Sequence, residues 1–150
     1  MKAYPDTSFL WAFYLAQSNS PAAAAHAATM KEPLPVTELL AYEFRQSLRF
    51  QVWRHSANRR EGVAPADAQA ALRQFDADLA TGVAVLVPSH FLDVLRQAEE
   101  LSQRHTMTAG QRSFDVLHVA TALALQAEQF LTFDGNQRKL AQAEGMKVKP

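Results

Sequence analysis

The chain contains no cysteine. That absence excludes disulfides and thiolate metal centres. It fits a reducing compartment, and a cytoplasmic location is the expectation. Glycine is scarce, five in 150 residues, and there is no Gly-x-Ser-x-Gly elbow, phosphate-binding loop or dinucleotide fingerprint. The five histidines include no pair at a spacing useful for zinc. No apolar run approaches the roughly 20 residues needed to span a bilayer. Net charge is absent too, since 15 lysines and arginines balance 15 aspartates and glutamates. What is present is a 150-residue chain with 48% hydrophobic residues, enough for one domain with one core, expected to run over 1–150 without an internal boundary.

The amino terminus has the outline of a secretory signal: Lys2, then Phe9-Leu10-Trp11-Ala12-Phe13-Tyr14-Leu15-Ala16, then an alanine tract. Pro5 and Asp6 interrupt its basic region and Asp6 offsets Lys2, so the segment reads as the start of the fold. Strands and helices then alternate. The pattern predicts a strand over Lys2–Pro5 and a helix from Ser8 to Ala16. An alanine-rich helix from Pro21 to Met30 follows, with Ser20 as cap. Leu34–Val36 reads as a strand, and Thr37 as the cap of a long helix reaching Arg60. Gly62–Pro65 breaks that helix, and another runs from Ala66 to Ala80. Val83–Val87 is the clearest strand. Helices follow over Phe91–His105 and, capped by Ser113, to Glu128. A strand at Phe130–Phe133, a helix at Asn136–Ala143 and a last strand at Met146–Lys149 complete the chain. Such alternation indicates an α/β fold with a parallel sheet and helices on both faces.

Four acids stand out. Asp6 and Asp134 each sit where an apolar strand gives way to a helix, and a parallel sheet gathers its ligands at the carboxyl ends of its strands. Glu43 borders the buried stripe Leu40, Phe44, Leu48 of the long helix. Asp115 lies in the first turn of a helix that is apolar around nearly its whole circumference, where a carboxylate needs a cation or several donors. Each has an ordinary reading: Asp6 and Asp134 as helix caps, Glu43 as a side chain reaching water, Asp115 as a first-turn acid favoured by the helix dipole. Together they suggest one acidic pocket. Four converging carboxylates repel one another unless a cation holds them, and an all-oxygen set suits Mg²⁺ or Mn²⁺. His118, three residues after Asp115, reads as a packed, hydrogen-bonded histidine. Setting the four acids aside leaves 15 basic residues against 11 acidic ones. Arg45, Arg49, Arg54, Arg59, Arg60 and His55 form a run without an acid. A basic arm beside an acidic pocket is what cutting a phosphodiester requires, and Arg45, Arg49 and Arg112 are the candidates for backbone contacts. A solvated helix face accounts for the same run.

The ordered set Asp6-Thr7-Ser8, then Thr37 with Glu43-Phe44-Arg45-Gln46-Ser47-Leu48, then Arg112-Ser113-Phe114-Asp115-Val116-Leu117-His118, then Leu131-Thr132-Phe133-Asp134 resembles a PIN domain, and most of all the VapC-type toxins of bacterial toxin–antitoxin pairs. The resemblance covers essentially the whole chain. It implies an α/β/α sandwich, hydrolysis of RNA with Mg²⁺ or Mn²⁺, a homodimer, and a small antitoxin protein that blocks the site. It aligns Asp6, Glu43, Asp115 and Asp134 with the family's acidic quartet, Asp6 and Asp115 with its most direct metal ligands, and Thr7 and Ser8 with the polar positions beside the first aspartate. Two departures are visible. Gln46-Ser47 stands where Asn-Ala is common, and Asn136 stands near where some members carry a further acid. A DNA-cutting or RNA-processing nuclease, and a PIN-like module that binds RNA without cutting it, are the rival readings.

Overall fold

A computed structural model describes residues 1–150. Five three-residue strands alternate with seven helices: β1 (Ala3–Pro5), α1 (Thr7–Tyr14), α2 (Ser20–Thr29), β2 (Leu34–Val36), α3 (Glu38–Ala57), α4 (Pro65–Thr81), β3 (Ala84–Leu86), α5 (Phe91–Ala109), α6 (Ser113–Ala124), β4 (Gln129–Leu131), α7 (Gly135–Ala143) and β5 (Lys147–Lys149). Every strand pair is parallel, as the alternation requires. The fold is α/β, with short parallel strands flanked by helices. The chain forms two compact units, residues 1–9 with 87–150 and residues 10–86.

In the first unit the strand order is β1-β4-β5, with Tyr4 opposite Phe130 and Pro5 opposite Leu131. On the central strand Phe130 and Leu131 are fully buried. Exposed Lys147 and Lys149 on β5 mark a charged edge. Helix α5 buries Val94, Ala98 and Leu101, spaced four and three apart, as an amphipathic helix does. These pack with Val116, Val119, Ala120 and Ala122 of α6, with Tyr4 and Phe130 of the sheet, and with Leu140 and Ala141 of α7.

The second unit pairs β2 with β3. Thr37 caps α3 as expected, its hydroxyl accepting from the Leu40 amide at 3.3 Å. Leu40, Ala41, Phe44 and Leu48 form the buried stripe of α3, and Ala68, Ala71, Phe75 and Asp78 that of α4. Tyr14, Phe44 and Phe75 meet as three rings, with centroids 5.0–5.6 Å apart. Gly62 follows α3 at a φ of +69°, and a Cβ there would fall 2.1 Å from the Gln51 carbonyl oxygen, so no other residue fits this close approach.

Several expected boundaries move. Ser20 lies inside α2 after an Asn19 N-cap that makes no side-chain bond, and its hydroxyl donates to the Leu15 carbonyl instead. Ser113 is likewise the first residue of α6, behind Arg112. Helix α6 ends at Ala124, not Glu128, because Gln126 turns left-handed (φ 53°). Strand β4 ends at Leu131, which leaves Thr132 and Phe133 in the loop before Asp134.

Candidate active site

The first unit places Asp6, Asp115 and Asp134 around one set of polar side chains. Asp6 follows β1 and is fully buried. Its Oδ1 accepts from the Ser8 hydroxyl (2.7 Å) and the Phe9 amide (2.9 Å), while Oδ2 accepts from the Thr132 hydroxyl (2.5 Å). Burial raises the Asp6 carboxyl above its ordinary 3.8; the Thr132 and Ser8 hydrogen bonds, the charge of His118 and the Phe9 amide pull the other way without offsetting it. Asp134 is the N-cap of α7. Its Oδ1 accepts from the amides of Asn136 (2.8 Å) and Gln137 (2.9 Å). Each loop aspartate thus divides its oxygens, one toward its own helix start and one toward the other site residues. The capping reading is correct for both, and it uses half of each carboxylate.

Thr132 joins these two acids. Its hydroxyl donates to Asp6 and accepts from the Asp134 amide at 2.9 Å. Ser8 reinforces the link by accepting from the Phe133 amide at 2.8 Å. Arg138 fixes the same loop, donating to the Thr132 carbonyl at 3.0 Å. Sequence reasoning missed Thr132 and Arg138. Thr132 looked like one more β-branched strand residue, and a threonine two residues before an acid at a strand end was the available signal.

Asp115 and Asp134 meet through Arg112. The guanidinium donates from Nε to Asp115 Oδ2 at 2.9 Å and from Nη2 to Asp115 Oδ1 at 3.3 Å, and Nη2 lies 3.5 Å from Asp134 Oδ2. The cation that relieves repulsion between these carboxylates is therefore already part of the chain. Behind them, His118 is fully buried; its Nδ1 lies 3.0 Å from the Tyr4 hydroxyl and its Nε2 3.4 Å from that of Thr7. It is the packed, hydrogen-bonded histidine the sequence suggested. The side chain of Asn136 is exposed, and its amide serves the Asp134 cap.

The remaining candidates lie on α3 of the second unit. Glu43 is half-buried. Arg45 forms an ion pair with Asp76 at 2.7 Å and lies over the Phe75 ring at 4.9 Å. Arg54 pairs with Glu61 at 2.6 Å. The acid-free run is thus partly neutralised by acids from elsewhere, and Arg49 is the exposed candidate without an ion pair. A cleft of 820 Å³ in this unit, between Trp11, Gln51, Gly62 and Gln74, has Asp67 as its one carboxylate and is no acidic site.

No three His, Asp or Glu side chains come together here to hold a metal ion. The donor chemistry nevertheless fits a hard cation. The candidate acids offer only oxygens, Asp115 and Asp134 share a positive partner, and the buried Gln137 Oε1, in the first turn of α7, receives no hydrogen bond.

The PIN domain family matches residues 3–143, and the chain belongs to that family. Among solved structures, it is similar to VapC20 of Mycobacterium tuberculosis, a toxin that cleaves the sarcin–ricin loop, with 22% identity and a TM-score of 0.65 over 99% of this chain and 100% of that one. FitAcB from Neisseria gonorrhoeae matches with 14% identity and a TM-score of 0.64 over 99% and 96% of the two chains. PAE2754 from Pyrobaculum aerophilum matches with 16% identity and a TM-score of 0.57 over 99% and 89%. At these identities the likeness is one of fold. No curated protein matches the sequence. No helix is long and apolar enough to cross a membrane.

Proposed function

We propose that this PIN-domain protein, acting as one domain over residues 1–150, is a metal-dependent endoribonuclease and the toxin of a bacterial toxin–antitoxin pair. The observation that carries the reading is the linkage of three aspartates from three separate segments: Thr132 ties the Asp6 carboxylate to the backbone of Asp134, and Arg112 spans the Asp115 and Asp134 carboxylates. A structural helix cap has no need of such linkage. The family and the likeness to a toxin that cleaves RNA support it.

Asp115 and Asp134 would hold Mg²⁺ or Mn²⁺ with Asp6, and Glu43 would orient the attacking water or hold a second ion. When bound, the ion lowers the pKa of its water and polarises a phosphoryl oxygen. The chain's own part is positional. Thr132 and Ser8 fix the Asp6 carboxylate, the first turn of α7 fixes Asp134, and Asn136 and Thr7 support them. Arg49 would grip the RNA backbone, with Arg45 and Arg112 contributing after release from their carboxylate partners. The partners are RNA, a small antitoxin and a second copy of the chain, in the cytoplasm.

The deciding experiment incubates the protein with total RNA in Mg²⁺ or in EDTA and maps new 5′ ends. Discrete ends that appear only with the ion, and growth arrest on expression that a neighbouring small gene relieves, are the expected results. Cleavage of DNA alone, or RNA binding without cutting in either Mg²⁺ or Mn²⁺, would sink the reading.

A further inference from the structure

We propose that Arg112 is the resident counter-cation of the acid cluster: its guanidinium holds the place between Asp115 and Asp134 that a divalent ion takes on loading, and gives it up when the ion arrives. This rests on the reading of those acids as metal ligands. Asp115 is the first reason. Its side chain is 6% exposed, and the hydrogen bonds it receives both come from Arg112. A buried carboxylate without a counter-charge is strongly disfavoured, so in metal-free protein Asp115 depends on this arginine. Asp134 is the second. Its Oδ1 is occupied by the first amides of α7, which leaves Oδ2 to face either the guanidinium or an ion. The third is Arg112 itself. It is 70% exposed although its partner Asp115 is buried, so the carboxylate lies in the fold and the guanidinium that covers it lies on the solvent side.

Loading is then an exchange of one cation for another. Arginine stays protonated at every working pH, so it competes with the ion throughout the pH range. The consequence runs against the usual rule that removing a site residue weakens its ligand. Without Arg112, the ion meets two carboxylates with no occupant to displace, and its affinity rises. The same change removes the only partner of a buried acid, so metal-free protein loses stability.

The test uses the full chain, stripped with chelator, as wild type, Arg112→Gln and Arg112→Lys. Mn²⁺ and Mg²⁺ are titrated calorimetrically, and thermal melts are recorded without metal and at saturation. Arg112→Gln should bind Mn²⁺ roughly tenfold more tightly, the scale expected for release from a pair of partly exposed ion pairs. It should melt below wild type without metal and gain more on saturation. Arg112→Lys keeps the charge but lacks the planar fork that spans two carboxylates, and its affinity should fall between the other two. Affinity in Arg112→Gln equal to or below wild type would overturn the exchange while leaving the metal site intact. Arg112→Lys binding no better than wild type would overturn it as well, because charge at a distance would then explain the effect. Absence of binding in wild type and Arg112→Gln alike would overturn the metal-site reading itself.

Discussion

Two aspartates in this protein are buried without an ion pair, and they differ in nearly every other respect. Asp78 of α4 is 7% exposed and accepts from the Tyr14 hydroxyl at 2.9 Å and the Gln74 amide at 2.8 Å, beside the ring cluster of the second unit. Both oxygens are matched by neutral donors, and the connection goes no further. Burial, with the Asp78 hydrogen bond and charge behind it, pushes the Tyr14 hydroxyl well above its usual range, so it remains a donor. Asp6 is also satisfied, but its donors lead onward: Thr132 reaches Asp134, and Ser8 reaches Phe133. Burial of a carboxylate is therefore not itself a sign of function. What separates the two is whether the hydrogen bonds close on themselves or connect to further acids.

The largest expected effect tests that contrast directly. Asp6→Asn and Asp115→Asn should each lower RNA cleavage by at least about a hundredfold with an unchanged circular dichroism spectrum, whereas Asp78→Asn should cut RNA like wild type. Cleavage lost in Asp78→Asn, or kept in Asp6→Asn, would erase the distinction. Next in size, Tyr14→Phe should lower stability by about 1–3 kcal/mol by leaving a buried acceptor short of its donor. Denaturant melts should show that loss while cleavage rates stay level.

The third prediction concerns pH. The folded Asp6 carboxyl keeps its proton to a higher pH than the unfolded one. Its contribution to stability is thus full below the unfolded value of 3.8 and is lost as pH rises through the folded value. In EDTA, Asp6→Asn should gain on wild type as the pH is raised from 4 toward neutrality. Melts across that range that run parallel would mean Asp6 is not strained by its burial. The substitution is sterically mild, since the Thr132 hydroxyl can turn to the Asp134 carbonyl 3.5 Å away. The smallest effect separates two arginines of α3. Arg49→Ala should reduce the log–log salt dependence of RNA binding by about 0.7, one phosphate contact on a single strand. Arg45→Ala should reduce that slope by less than Arg49→Ala does, because Asp76 competes for its charge, and should lower stability by about 0.2–1 kcal/mol through loss of that partly exposed pair. Equal slopes for the two would remove any distinction between a paired and an unpaired arginine.

Elements with local signals were legible. Thr37 before an apolar stripe gave the start of α3, and Val83–Val87 contained β3. The misplaced ends have tertiary causes. Nothing near Gln126 announces a left-handed residue, and the chain leaves α6 there to pair with β1, the Glu128 and Gln129 amides donating to the carbonyls of Met1 and Lys2. In the site, the acids could be read from position and the polar groups between them could not. Arg112 stood in the sequence as a phosphate contact; its pair with Asp115 three residues on is a local one, but its reach to Asp134, 22 residues away, is not. The arginines of α3 looked unopposed because Asp76 is 31 residues from Arg45. Asp78 was overlooked although the sequence contained its signal: Ala68, Ala71, Phe75 and Asp78 recur at spacings of three and four, which puts the acid on the buried face of α4.

Thr132 carries one hydroxyl proton and has three oxygens within reach, Asp6 Oδ2, the Ser8 hydroxyl at 3.2 Å and the Asp134 carbonyl. Its bond to Asp6 is the shortest, and the Asp134 carbonyl lies a full ångström farther off. A ligand that took over Asp6 Oδ2 would leave the proton to the Ser8 hydroxyl or the Asp134 carbonyl, both of which hold the loop that positions the other aspartate. Rotation about a single C–O bond would then couple the occupancy of one strand end to the loop at the next. Thr132→Ser keeps that message, and Thr132→Val removes it without altering the shape of the side chain.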